Sequence, residues 1–581
     1  VWALTSQPNW QDKYDITVYQ LGWRLGGKGA SGRGPDGRVQ EHGLHIWMGF
    51  YENAFSVMRQ AFTELQGEPR VYQSVEDAFK AQNKIGVMEH IDGEWYPWVI
   101  PFPKLPGEPG DGNPQQYTSV YQMVEAAIKD ILGMIKMLLE GKDHSAPKPK
   151  SMAGSAKAWL QDHLKITEES AIHTAVAMLD KLPENWHENE EHHEHVDAVL
   201  THALDELDRH STHEKSQSPE ALERENLLRR LGIVLDLGKA TFWGVILNRR
   251  QINREGLDVF DDLDLQDFFK KYGAKPQNYE VSQSAAVRAF YDLVFGYENG
   301  DTTKPNFAAS AGLRSIFSIL LLYKDSVFMK MRAGMGDTIF APLHKGLVKR
   351  GVKFEFFHKV TNMTLEDLGN GEKAVGTLQF DVQATLKDGT YDPYVNVEGL
   401  DCWPQAPLTD QLVEGAQILK GPNGDGDQEW DGNWKGYDLE DFWSSWVDPD
   451  TKVLNRGVDF DRVILGIPPA SHPFICPELV ANNAKWQNML AKVASVRTQA
   501  MQLWMKSPIY GLGWPYGSSV VDAFQQPMNT WADMTHLINR ESWPVSASLG
   551  SIAYFCGPMK GGIPNPDAKD VTEHATAEVL N

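Results

Sequence analysis

The chain has 581 residues, 42% hydrophobic and 23% charged, a balance that excludes a disordered or collagen-like protein. Its net charge of −23, from 55 basic and 78 acidic side chains, argues against non-specific binding to nucleic acid or to an anionic membrane surface. The three cysteines (Cys402, Cys476, Cys556) are far apart in no paired spacing, which excludes a disulfide framework and a thiolate zinc cluster. No run approaches ~18 uninterrupted apolar residues, and no basic region followed by an apolar stretch opens the chain, so a cytoplasmic protein is expected.

The aromatic load of 19 Trp, 24 Phe and 18 Tyr permits an apolar ligand site and equally a large core. Val1 to Leu4 reads as the end of a helix, and Tyr14 to Gln20 as a β-branched and aromatic strand. A chain that opens in this way is expected to begin part-way through a domain. Directly after the strand comes Gly22-Trp-Arg-Leu-Gly-Gly-Lys-Gly29, where closely spaced glycines let backbone N–H groups approach a phosphate and Arg24 and Lys28 add positive charge. The string nearly matches a nucleotide-binding lysine loop, but Gly29 stands where a magnesium-binding Ser or Thr is needed. A plain glycine-rich surface turn is the alternative.

Tyr117 to Lys142 has a helical period, with Val120, Val124, Ala127, Ile128, Ile131, Ile135 and Leu138 on one stripe. That stripe suits core packing, and a membrane-surface helix or an apolar gate stays open. Glu184 to Lys215 places His187, Glu191, His195, His202, Glu206, His210 and His213 near one helical stripe. Beside it Val196, Leu200, Ala203, Leu204 and Leu207 form an apolar stripe, so the polar side reads as a solvated face, and no metal ligands are assigned. Asn299 to Asn306 reads as a polar linker. Phe328 to Asp337 is followed by a helix from Thr338 to Lys349 and a strand from Gly351 to Val360, continued by Asn362 to Leu365 before a turn at Gly369 to Gly371. Gly421 to Gly436 reads as a long loop, and Phe460 to Pro469 as a short buried strand stopped by two prolines.

Taken together, these blocks resemble the flavin-dependent amine oxidase and phytoene desaturase superfamily. Tyr14 to Gly29 resembles the family's second dinucleotide strand and glycine-rich FAD motif. Glu41-His-Gly-Leu-His-Ile-Trp-Met-Gly-Phe-Tyr-Glu-Asn53 is similar to the E-x-G-L-H-x-F-F-G-x-Y-x-N segment of plant-type carotenoid desaturases. Ala333 to Asp337 resembles the segment that returns to the FAD domain, and Asp461 to Pro468 the strand at which the adenine-side sheet ends. The likeness covers about a third of the chain. It departs from the family pattern in that the first strand and G-x-G-x-x-G turn, which would be expected ahead of Val1, are not in this sequence, in Gln20 where the family has a ribose-binding Glu, and in showing no closing Gly-Asp strand after Gly550.

The resemblance implies an α/β fold: a discontinuous Rossmann-like FAD-binding domain (1–60, 331–400 and 451–470), a largely helical insert (61–330), a loop-rich insert (401–450) and a mixed α+β substrate domain (471–581). It implies FAD, with Arg24, Gly26, Gly27, Lys28 and Gly29 along the pyrophosphate, Gln20 at the ribose and Val360 at the adenine. Glu41 and Gly43 would run past the isoalloxazine ring, with His45 at the reacting face. The implied chemistry is hydride removal from a C–H of a hydrophobic, polyene or isoprenoid-like substrate, with oxygen or a quinone as electron acceptor. Trp504 and Trp514 are candidates for pocket walls and for core. An amine or amino-acid oxidase of the same fold, a flavin-free subunit working with a partner chain, and metal-dependent hydrolysis are the alternatives. Peripheral membrane contact stays open.

Overall fold

The computed structural model describes residues 1–113, 117, 119–140, 183, 185–210, 219–369, 371–422, 424, 434–441 and 444–561. The architecture is mixed α/β. Its largest sheet has six strands in the order Arg497–Met505, Ser551–Met559, Thr530–Asp533, Val520–Asp522, Lys84–Ile91, Glu94–Pro101. All neighbours are antiparallel except Val520–Asp522 against Lys84–Ile91, where Val520 lies opposite Ile85 and Asp522 opposite Val87.

The helical layer on this sheet follows the apolar periods of the sequence. Val120–Glu140 buries Tyr121, Val124, Ile128, Ile131 and Leu132, and Glu190–His210 buries Val196, Leu200, Ala203, Leu204 and Leu207. Both helices pack with Pro219–Leu247 into one core. Helices of this length gain most of their stability from such an apolar stripe, because propensity alone is marginal. No group of three or more His, Cys, Asp or Glu side chains among the described residues could hold a metal ion. Nor is any single described helix long and apolar enough to cross a membrane.

The N-terminal strand Thr17–Tyr19 pairs in parallel with Lys353–Glu355. The expected strand to Val360 is divided in two, because Phe357 takes a left-handed backbone with φ 62°. Beyond that break, His358–Gly369 turns back as a hairpin onto Glu372–Val382. Ala341–Arg350 forms the expected helix after Gly336 and stops at Gly351, whose φ of 99° suits glycine. The parallel pairing of this region, among the described residues, is limited to those two short strands.

Phe460 to Pro469 corrects an expectation: it is extended but pairs with no described strand, and it is not buried as a whole. Val463, Leu465 and Ile467 lean on a small apolar cluster while Ile464 faces solvent. Alternating exposure of this kind is what an extended segment shows when one face alone is covered. The segments 423, 425–433 and 562–581 lie outside the described residues, and with them most of the expected Gly421 to Gly436 loop.

Candidate functional site

The glycine turn is shaped by its backbone. Gly22, Gly26 and Gly27 have φ of 67°, 120° and 54°, a region that side chains disfavour. One side of the turn is filled: a Cβ on Gly26 would stand 2.9 Å from the Phe340 ring, and one on Gly29 would stand 3.2 Å from Met335 Sδ. The other side is open, with nothing within 4 Å of a Cβ on Gly27, and both Gly27 and Lys28 are exposed. The turn therefore rests on the return segment and presents Gly27 and Lys28 outward.

Glu41 ties two neighbouring residues to the distant return segment. Its Oε1 accepts from Ser31 Oγ at 2.8 Å and from the Met335 amide at 2.9 Å, while its Oε2 meets His45 Nδ1. The other ring nitrogen of His45, Nε2, lies 3.1 Å from the Lys28 carbonyl. His45 holds a left-handed backbone with φ 45°, which turns its ring back toward Glu41. Burial works against protonation of this imidazole, but the Glu41 carboxylate and its hydrogen bond raise its pKa above the ordinary value. A histidine so placed is a proton donor held in one orientation. The peptide oxygen of Glu41 accepts from Gln502 Nε2 at 2.7 Å, which fixes the strand end on the C-terminal half.

Two arginines behave as structure. Arg24 is buried and makes a bidentate pair with Glu440 (Nη2 to Oε2, 2.6 Å), and it also donates to the Ser31 carbonyl at 3.0 Å. Its guanidinium is spent on protein, which the sequence alone did not indicate. Arg33 is likewise committed to Asp337. Lys28 has no ion-pair partner among the described residues.

Gln20 and Val360 are brought near each other, since the His358 amide donates to the Gln20 carbonyl at 2.9 Å. The Gln20 amide group itself bonds to the Leu21 carbonyl. Val360 lies in the hairpin opposite Phe380, with Tyr19 in the same cluster. Gly43 is half-buried beside His45, whose Cδ2 lies 4.0 Å from where a Cβ would stand.

A second feature lies between the large sheet and the helical layer: an apolar cavity of about 610 Å³. Its walls include Ile128 and Ile131 of the long helix, Val87 of the sheet, and Phe290, Ile319 and Phe328. Met48 pairs with Phe328, so the strand Ile46–Met48 that follows His45 runs directly to a cavity wall. Trp504 and Trp514 do not line it. Trp504 bonds to Glu541 under the Arg38 guanidinium, and Trp514 packs on Tyr516 and Trp531.

One cavity residue had no distinguishing signal in the sequence. Asp522 is 3% exposed and lines the cavity; burial pushes its carboxyl up to about 7 although Thr530 donates to it. In Ser518-Ser-Val-Val-Asp522 it reads as an ordinary strand-end aspartate. Only the alternation of Val520 and Asp522 on one face hinted that it points inward.

No family model matches this chain, and no curated protein does. Among solved structures, an oxidoreductase from Methanosarcina mazei is similar at 12% identity with a TM-score of 0.28, over 59% of this chain. The match spans 55% of that protein's length. Likeness of this degree carries no argument about fold or activity.

Proposed function

We propose that the chain is a FAD-dependent oxidoreductase that removes hydride from a hydrophobic small molecule held in the apolar cavity. The observation that supports this reading is the Glu41 junction. One carboxylate gathers Ser31, which follows the glycine turn, the nearby His45, and Met335 of the return segment, which lies 294 residues away in sequence. Those are the blocks whose resemblance suggested a flavin enzyme.

The residues present fit a phosphate-bearing group at the open side of the turn, where Gly27 leaves space and the exposed Lys28 has no ion-pair partner among the described residues. Arg24 does not contribute, because Glu440 holds it. The flavin supplies the hydride-accepting chemistry when bound. The chain's part is to hold His45 protonated and oriented through Glu41, and to keep water from the substrate with the cavity walls.

The test is the visible absorption spectrum of the purified full-length protein, as isolated and after incubation with FAD. Bound flavin shows its two oxidised bands on the protein fraction after gel filtration, and they bleach when an apolar substrate reduces it. A protein that stays colourless after incubation overturns the assignment and favours a subunit without flavin. Reduction by an amine in place of an apolar C–H donor would move the chemistry to amine oxidation.

A further inference from the structure

The apolar cavity contains one carboxyl group, Asp522, that has no ion-pair partner among the described residues. Val520 and Asp522 lie on the same face of their strand, and Val520 belongs to the apolar cluster with Phe102, Ile319 and Phe328 that walls the cavity. Asp522 is therefore aimed into the space. Among the described residues its one hydrogen-bond partner is the Thr530 hydroxyl, which donates to Oδ1 at 2.5 Å. Three cations are close, and each has other partners: Lys84, on the cavity wall, donates to the Tyr516 carbonyl at 2.7 Å. Arg230, also on the cavity wall, is held by Glu89 (Nε to Oε2, 2.5 Å). Arg288 donates to the carbonyls of Met88 and Ala523 at 3.2 and 2.6 Å. A buried carboxyl without a counter-ion is costly as an anion, and the nearby Asp292 adds like charge. The neutral carboxyl is the favoured form, and it both donates and accepts a hydrogen bond.

We infer that the cavity binds an elongated apolar molecule carrying one neutral polar group, an alcohol or a ketone, and that Asp522 holds that group. The volume of about 610 Å³ falls within the range of small-molecule sites. The walls, from Ile128 and Ile131 to Phe290 and Phe328, reward apolar length and offer few other polar partners. A ligand hydroxyl would satisfy Asp522 without bringing an uncompensated charge into the cavity. A purely apolar ligand would leave the carboxyl unsatisfied.

This inference rests on reading the cavity as the substrate site, and its test uses no redox signal, so its failure is separable from failure of the flavin assignment. The full-length protein is titrated with 1-dodecanol, dodecane and dodecylammonium. Binding is followed by tryptophan fluorescence, since Trp98 lines the cavity, and stoichiometry by native mass spectrometry. The expected result is one dodecanol per chain, bound about tenfold more tightly than dodecane or dodecylammonium. Asp522→Leu abolishes the preference for the alcohol, and Asp522→Asn, neutral and still hydrogen-bonding, keeps it. Comparing the three ligands on the unaltered protein needs no variant, so the proposal stays testable if either substitution fails to fold. Equal affinity for alcohol and alkane, preference for the ammonium, or no binding of dodecanol would each overturn it.

Discussion

Arg33 and Asp337 meet in the interior through two hydrogen bonds, Nη2 and Nε to Oδ2 at 2.6 and 3.0 Å, across 304 residues of sequence. Both side chains are buried: Arg33 also donates to the Gly37 and Arg540 carbonyls, and the Trp403 amide donates to the free oxygen of Asp337 at 3.1 Å. Burial weakens the charge of the guanidinium, and Asp337 beside it more than restores it, so Arg33 stays protonated. Removing one partner strands a buried charge. Asp337→Leu is expected to cost about 3–5 kcal/mol in denaturant unfolding, and Arg33→Met with Asp337→Leu less than the sum of the single losses.

The Glu41 contact sets the protonation of His45. Replacing Glu41 with Gln removes the charge that raises the imidazole, so burial then decides and the pKa falls below the ordinary value. Histidine-labelled NMR titration reads this directly. In the unaltered protein the raised pKa stabilises the fold fully below pH ~6.5, and that stabilisation is lost as pH rises through the folded value. The Gln variant reverses that trend. No change in the His45 titration would mean that Glu41 does not govern it.

Two other histidines act in the opposite sense. Burial pushes His344 down to about 4 and His536 down to about 3, so both are neutral in the fold. Lys345 beside His344, and Lys330 and Lys80 beside His536, add to the effect. The unfolded chain binds protons first, so stability falls as pH drops below ~6.5. Asp522 opposes this, because its raised carboxyl stabilises the fold in acid and loses that contribution as pH rises toward about 7. Asp292 and Cys556 are the titratable groups that face it. Melting temperatures between pH 4 and 8 should therefore fall in acid less steeply for His536→Gln, and fall in base less steeply for Asp522→Asn.

Gly49 is a packing requirement. A Cβ there would stand 2.0 Å from the Ser326 carbonyl oxygen, because the Gly49 amide and carbonyl bond the backbone at Val327 and Lys324 at 3.0 and 3.1 Å. Gly49→Ala is expected to cost about 1–3 kcal/mol by overpacking. Unchanged denaturant stability would show that the two strands can separate freely there.

Lys28 and Arg24 should separate binding from folding. Lys28→Met should lower retention of added FAD about tenfold with an unchanged melting temperature, since its charge has no ion-pair partner among the described residues. Arg24→Met should lower the melting temperature, since it leaves the half-buried Glu440 without its partner. Equal effects on retention and melting from both would remove the distinction.

The sequence shows the local elements well. The long helices over 120–140 and 190–210, the helix stop at Gly351 and the strand that ends in a turn at Gly369 all follow from period and turn chemistry, whereas the return strand Glu372–Val382 comes from the structure. The segment that the sequence singles out, Glu41 to Asn53, contains the Glu41–His45 contact. What it hides is partnership across distance. Nothing near Arg24 announces Glu440, and nothing near Asp522 announces a cavity whose other wall is the helix at 120–140. The short strand expected at Phe460 fails for the same reason: its apolar residues are legible, but strand pairing depends on a neighbour that no local pattern reveals.

The six-stranded sheet joins Lys84–Ile91 to Val520–Asp522, segments separated by on the order of four hundred residues. During synthesis the first strand pair, Lys84–Ile91 with Glu94–Pro101, must wait with one edge open while most of the chain is made. Closing so long a loop makes late assembly slow and leaves that edge available to wrong partners. The nascent protein is thus expected to depend on chaperones until Val520–Asp522 has emerged, and the apolar cavity beside that strand to close only then.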